Sequence, residues 1–160
     1  ALQSSRVVAG MTIHIGYRPF EELERVDLID HGSDVTFPSS NLAYKREGFS
    51  AAGGFDPWFV TAEDIDMNLR AVNAGHRIQY VPEAIVYHRT RDSVYDFLRQ
   101  ALWNGAGRKQ LTVKHGALWS RYRPIEMFRR QVTVWSMIRL VVALMGYVGY
   151  KFFGRERTTT

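Results

Sequence analysis

The chain reads as an α/β domain followed by a C-terminal membrane-associated helix. Two stretches rich in β-branched and apolar residues, 7–15 and 77–87, flank a segment whose apolar residues recur at helical spacing. A carboxylate cluster, Glu63-Asp64-Ile65-Asp66, opens that segment shortly after the turn-forming pair Gly53-Gly54. From residue 132 to 150 the chain becomes almost wholly apolar, with basic residues on either side.

Residues 7–15 suit a strand, and the mixed charged stretch 19–28 suits a short helix. Phe37-Pro38-Ser39-Ser40-Asn41 has turn composition, after which Leu42-Ala43-Tyr44 resumes an extended segment. Gly53-Gly54 interrupts regular structure and lets a ligand or another backbone approach closely. Thr61 is placed to cap a helix over residues 62–74, with Asp64 reaching back three residues on and Gly75 as the left-handed stop. Ile65, Leu69 and Val72 then share its buried face.

Residues 77–81 alternate up to Pro82, and 84–87 form a short apolar run before His88-Arg89, so two strands are expected, the second largely buried. Ser93 and Asp96 repeat the capping spacing and start a helix with Val94, Phe97, Leu98, Ala101 and Leu102 as its stripe; Asn104-Gly105-Ala106-Gly107 is expected to end it.

The last apolar segment matches the ~20 residues a helix needs to cross a bilayer. Arg139 opposes that, because a central charge costs roughly 2.5 to 3.5 kcal/mol on insertion, an amount the neighbouring valines, leucines and isoleucine about offset. Three arrangements are open: a spanning helix, an interfacial helix with Arg129, Arg130, Arg139 and Lys151 facing phosphate, and a hairpin packed on the domain itself. Domain organisation follows as 1–115 for a partial α/β domain, 116–131 for a basic amphipathic linker, 132–153 for the helix and 154–160 for a polar tail.

Composition narrows the classes. Lys and Arg number 21 against 16 acidic residues, a formal charge of +5 that favours anionic partners. The basic residues gather around the apolar segment rather than in a stripe with interleaved aromatics, which argues against nucleic acid. With no Cys, any metal must rely on carboxylate, imidazole or water. The chain begins with neither Met nor a signal-peptide core.

Asn41-Leu42-Ala43-Tyr44-Lys45-Arg46, Ala52-Gly53-Gly54-Phe55-Asp56, Glu63-Asp64-Ile65-Asp66, Arg70, Gly75, Val81-Pro82 and His88 occur in that order with short gaps. This ordered set closely resembles the second, acceptor-side half of family 2 glycosyltransferases of the GT-A fold, over roughly residues 39–109. The resemblance implies an inverting transfer of sugar from a nucleotide-sugar to a carbohydrate or lipid-linked acceptor. It makes Asp64 the general base and Glu63 its support, which suits the chemistry: a hydroxyl attacking an anomeric carbon must lose its proton to a group already ionised. A place in the first helical turn favours that anion. The alternative is that Asp64 only caps the helix. Asp66 reads as an exposed partner of Arg70 four residues on.

The resemblance further implies that His88 helps hold a divalent metal, Mn or Mg, with Arg89 and Arg91 near the diphosphate. It implies that Asn41, Gly53, Gly54, Phe55, Arg89 and Arg99 bind substrate, with Phe55 or Trp58 either stacking on a sugar or plugging the core. Arg99 falls where processive members carry a Gln-Arg-Trp cluster, an order that Phe97 to Trp103 does not reproduce, which argues against processive synthesis. The nucleotide-binding half of the family, ending in Asp-x-Asp, has no counterpart before Asn41; Asp64-Ile65-Asp66 spells those letters on the wrong element. A fragment, or one subunit of a split enzyme with a separate nucleotide-binding half, is expected. A non-catalytic membrane-associated binding or scaffold protein is the alternative. Basic residues Lys114, Arg121, Arg123, Arg129 and Arg130 before the apolar segment, against Lys151, Arg155 and Arg157 after it, are consistent with a catalytic part facing the cytoplasm at the cytoplasmic membrane.

Overall fold

The computed structural model describes residues 5–21, 23, 26–122 and 132–154. Most of the expected linker and tail, with Arg123, Arg129, Arg130, Arg155 and Arg157, lies outside the described residues. The elements run β1 (Val7–Ile15), α1 (Arg18–Glu21), β2 (Ile29–Asp30), β3 (Ser33–Asp34), β4 (Leu42–Tyr44), α2 (Arg46–Ala51), α3 (Glu63–Asn73), β5 (Ile78–Arg89), α4 (Val94–His115) and α5 (Val134–Phe153).

A mixed sheet of order β4-β1-β5 organises the fold. β1 pairs antiparallel with β4 and parallel with β5, the crossover between them carrying α2 and α3. The two strands expected on either side of Pro82 are one. Pro82 lies where the register jumps from Gly10↔Val81 to Met11↔Ile85, so the missing ladder donor is not needed. Nor is the second part of this strand buried: β5 lies at the edge of the sheet, with Ile85 48% and Tyr87 66% exposed.

The expected face of α3 is confirmed. Ile65, Leu69 and Val72 pack with Leu28, Val35, Phe59, Leu111 and Leu118, and Trp58 closes the side of this core. Burying each large aliphatic contributes roughly 1.5 to 3 kcal/mol. The start of α3 differs from expectation: its N-cap is Ala62, in the left-handed region at φ 68°, with no side-chain cap. Thr61 is displaced from that role because its carbonyl packs against Gly107 of α4, where an added Cβ would come within 2.6 Å. The stop after α3 is as read, with Gly75 at φ 84°.

α4 starts where expected, Ser93 Oγ accepting the Asp96 amide at 3.0 Å. It does not end at Asn104-Gly105-Ala106-Gly107. Its two glycines serve close approach instead, Gly105 to the Ala143 backbone of α5 and Gly107 to Thr61, and packing on both faces carries the helix to His115.

The apolar segment packs on the domain, α5 lying along α4 as in the third arrangement, with its outer face left exposed. Gly146 lies against the Leu102 backbone, and Trp135 meets Phe97 and Phe20 edge-on at 5.7 and 5.2 Å. The spanning reading is not supported, because no helix among the described residues is long and apolar enough to cross a membrane.

Candidate active site

A cleft of about 1240 Å³ opens between β1, the 36–38 segment, the start of α3, and one face each of α4 and α5. Asp64 lines it from the first turn of α3. Its carboxylate accepts the Ser39 amide at Oδ2 (3.0 Å) and the Ile65 amide at Oδ1 (2.8 Å). The expected capping box is absent, so Asp64 is not a bond to the N-cap; it takes one otherwise orphaned first-turn donor and ties α3 to the segment after Pro38. Each carboxylate oxygen accepts two bonds, which leaves capacity for a hydroxyl in the cleft.

That segment is itself anchored from α3. Asn68, fully buried, donates to the Val35 and Phe37 carbonyls at 3.0 and 3.2 Å and accepts the Tyr44 hydroxyl at 2.5 Å. Burial, then the Asp64 charge, push the Tyr44 phenol well up, so it stays a neutral donor beside the site. Gln110, also fully buried, bonds the Trp58 carbonyl and the Val60 amide, fixing the approach to α3 from the other side.

The remaining expected site residues are distributed. Glu63 is half-buried and does not line the cleft. Asn41 donates its amide to the Met11 and Ala84 carbonyls, both at 2.8 Å, and so pins the register jump between β1 and β5. Gly53, Gly54 and Phe55 line a second pocket of about 330 Å³ with Asp56, Arg70 and Lys114. Phe55 is 43% exposed with its ring against Phe49, whereas Trp58 takes the core-plugging alternative. Arg89 and Arg99 are exposed and outside the cleft, and Arg91 donates to Gln100 at 3.3 Å.

His88 is exposed on β5, opposite His14 of β1, the two rings meeting edge-on at 5.6 Å. No group of three or more His, Asp or Glu that could hold a metal occurs among the described residues. The imidazole pair alone does not make up a divalent-cation site of the kind the resemblance implies, and no step below is routed through a metal.

Several cleft residues escaped sequence reasoning. Gln100, Asn104, Arg108 and Thr112 recur every four residues along α4 and all face the cleft. Their spacing is a usable signal, masked by the helix-ending composition of Asn104-Gly105-Ala106-Gly107. Arg139 also lines the cleft, so the charge that counted against a membrane span faces the same opening as Gln100, Asn104 and Arg108.

Asp66 is the clearest correction. It pairs with Arg70 as expected, Nη2 to Oδ2 at 2.8 Å, but is fully buried rather than exposed. Lys114 and His115, from the end of α4, both reach its Oδ1 at 2.7 Å. Burial alone would raise its pKa; the bonds from His115, Lys114 and Arg70 outweigh that and bring it down to about 2.

Comparison with known proteins identifies the family. Residues 27–154 match the model of the glycosyl transferase family group 2, and the chain belongs to that family. It is 28% identical over 88 residues to the pre-mycofactocin glycosyltransferase of Mycobacterium tuberculosis, covering 55% of this chain and 19% of that protein. It is 40% identical over 63 residues to the O-antigen chain rhamnosyltransferase WbaN of Salmonella anatum, covering 39% of this chain and 20% of that protein. The chain thus spans about a fifth of the length of these curated relatives. No solved structure matches.

Proposed function

We propose that this chain is the acceptor-side part of an inverting glycosyltransferase, with Asp64 as the general base. The observation that carries the reading is the placement of the Asp64 carboxylate on a large cleft, where the amides of Ser39 and Ile65 hold it and each oxygen keeps acceptor capacity for a hydroxyl. In the reaction an acceptor hydroxyl attacks the anomeric carbon of a nucleotide-sugar, its proton passes to Asp64, and the bond to the diphosphate breaks. General-base assistance of this kind contributes about 10²- to 10⁴-fold.

The donor diphosphate and its nucleotide are bound with the help of a further half of the enzyme, in the same or a separate chain. A divalent cation, Mn or Mg, with His88 as one ligand belongs to the proposal through the family resemblance alone. Membrane association belongs to it through the outer face of α5, where Val134, Met137, Val141, Met145, Val148 and Phe152 are exposed in helical register beside Lys151. That face would lie in the interface of the cytoplasmic membrane, with the cleft on the cytoplasmic side, where nucleotide-sugars are met by the resembled enzymes.

The test is to incubate the intact protein with a panel of nucleotide-sugars and with carbohydrate or lipid-linked acceptors, and to read the product's anomeric configuration by NMR. Transfer with inversion is expected. Transfer with retention, or none from any donor, contradicts the proposal.

A further inference from the structure

Asp64 and Asp66 lie two positions apart on α3, about 200° around its axis, and they serve opposite sides of the helix. Asp64 faces the cleft; Asp66 is held by Arg70 of the same helix and by Lys114 and His115 at the end of α4. Arg70, one turn further on, spans the gap to the loop that follows α2. Its Nε and Nη2 bond Asp66 Oδ2 at 3.0 and 2.8 Å, Nη2 also donates to the Gly54 carbonyl at 2.6 Å, and Nη1 donates to the Ala52 carbonyl. The next residues of the loop are held from α4, since Lys114 Nζ bridges Asp56 Oδ2 and Asp66 Oδ1, both at 2.7 Å.

Gly53 and Gly54 both sit in the left-handed region, at φ 82° and 66°, a backbone path that the Arg70 fork clasps from both ends. A planar guanidinium has the five fixed donors this requires, and an ammonium does not. The buried carboxylate in turn fixes the plane of the guanidinium. With the functional reading above as its premise, we infer that Asp66 and Arg70 are positioning residues that set the shape of the Gly53–Asp56 loop for the acceptor. The frame links two features through one helix: the base on one face of α3 and the loop on the other.

The test uses Arg70→Met and Arg70→Lys in the full protein, with two readouts. Amide hydrogen exchange at residues 53–58 is expected to rise at least tenfold in both variants, while the buried α3 amides of Met67 and Leu69 stay within twofold of wild type. Arg70→Lys keeps a charge for Asp66, so it guards against loss of folding. Unchanged exchange in the loop, or a rise spread evenly over the chain, overturns the inference. In the transfer assay the acceptor KM is expected to rise about tenfold with kcat within threefold; a fall in kcat at constant KM overturns the positioning role. If wild-type protein transfers no sugar, the functional reading fails and the acceptor role with it, whereas the exchange pattern still decides whether the frame sets the loop.

Discussion

Asp66 carries a charge in a place with no access to water, and His115, Lys114 and Arg70 are what make that tolerable. A depressed folded pKa means that the stabilisation is complete above the unfolded value, near 3.9, and is lost as pH falls through the folded one, about 2. Asp56, held below its usual range because bonds from Lys114 and the Trp58 amide outweigh its burial, acts in the same direction. Urea unfolding is therefore expected to show a loss on the order of 2 kcal/mol attributable to Asp66 between about pH 4 and pH 2. Asp66→Asn should flatten the profile by that amount; an unchanged acid limb would contradict the assignment. Asn68 invites a second substitution. Replacing it with Leu strands the Val35 and Phe37 carbonyls and the Tyr44 hydroxyl, a cost on the order of 3 kcal/mol from unpaired buried groups. A midpoint shift worth less than 1 kcal/mol, about what one exchanged hydrogen bond contributes, would show that these groups find other partners.

At the scale of elements, α4 is held by two glycines facing different neighbours. An alanine at Gly105 would bring its Cβ to 1.7 Å from the Ala143 carbonyl of α5, and one at Gly107 to 2.6 Å from the Thr61 carbonyl. Neither neighbour is a flexible side chain. Gly105→Ala is expected to part α4 from α5 and destabilise the fold by about 1 to 3 kcal/mol, measured by thermal unfolding; wild-type stability would mean the helices do not approach as described. The same glycines mark where local sequence signals stop being informative. Asn104-Gly105-Ala106-Gly107 has the chemistry of a helix end, and only the backbones of α5 and Thr61, distant in sequence, make it a helix interior. Pro82 is similar: a strand breaker by itself, it is accommodated by a register jump contributed by β1. α3 was legible in its periodicity and its Gly75 stop because those are local. Its cap was not, since the position of Thr61 is decided by Gly107.

For the molecule as a whole, the apolar C-terminal segment carried a composition that suited a membrane, a surface or a domain core. The outcome turned on Gly105, Ala143 and Gly146, which let α5 lie along α4 while its outer face stays exposed. The site was legible in a particular way. Asp64 could be picked out because an ordered set of motifs singled it from three acids, and no periodicity or spacing would have done so. The polar stripe of α4 and the role of Asp66 needed the fold, because they join residues distant in sequence, His115 and Asp66 being 49 positions apart. What unites them is α3, which presents Asp64 to the cleft, Asn68 to the 35–37 segment and Arg70, held by Asp66, to the glycine loop.

The central claim, that Asp64 is the base, is tested most directly by Asp64→Asn in the intact enzyme, with donor binding and transfer measured on the same preparation. The amide keeps the size of the side chain and removes its capacity to take a proton. Transfer is expected to fall at least a hundredfold, in line with the loss of a general base, while the affinity for nucleotide-sugar stays within a few-fold of wild type. Turnover near the wild-type rate would contradict the account.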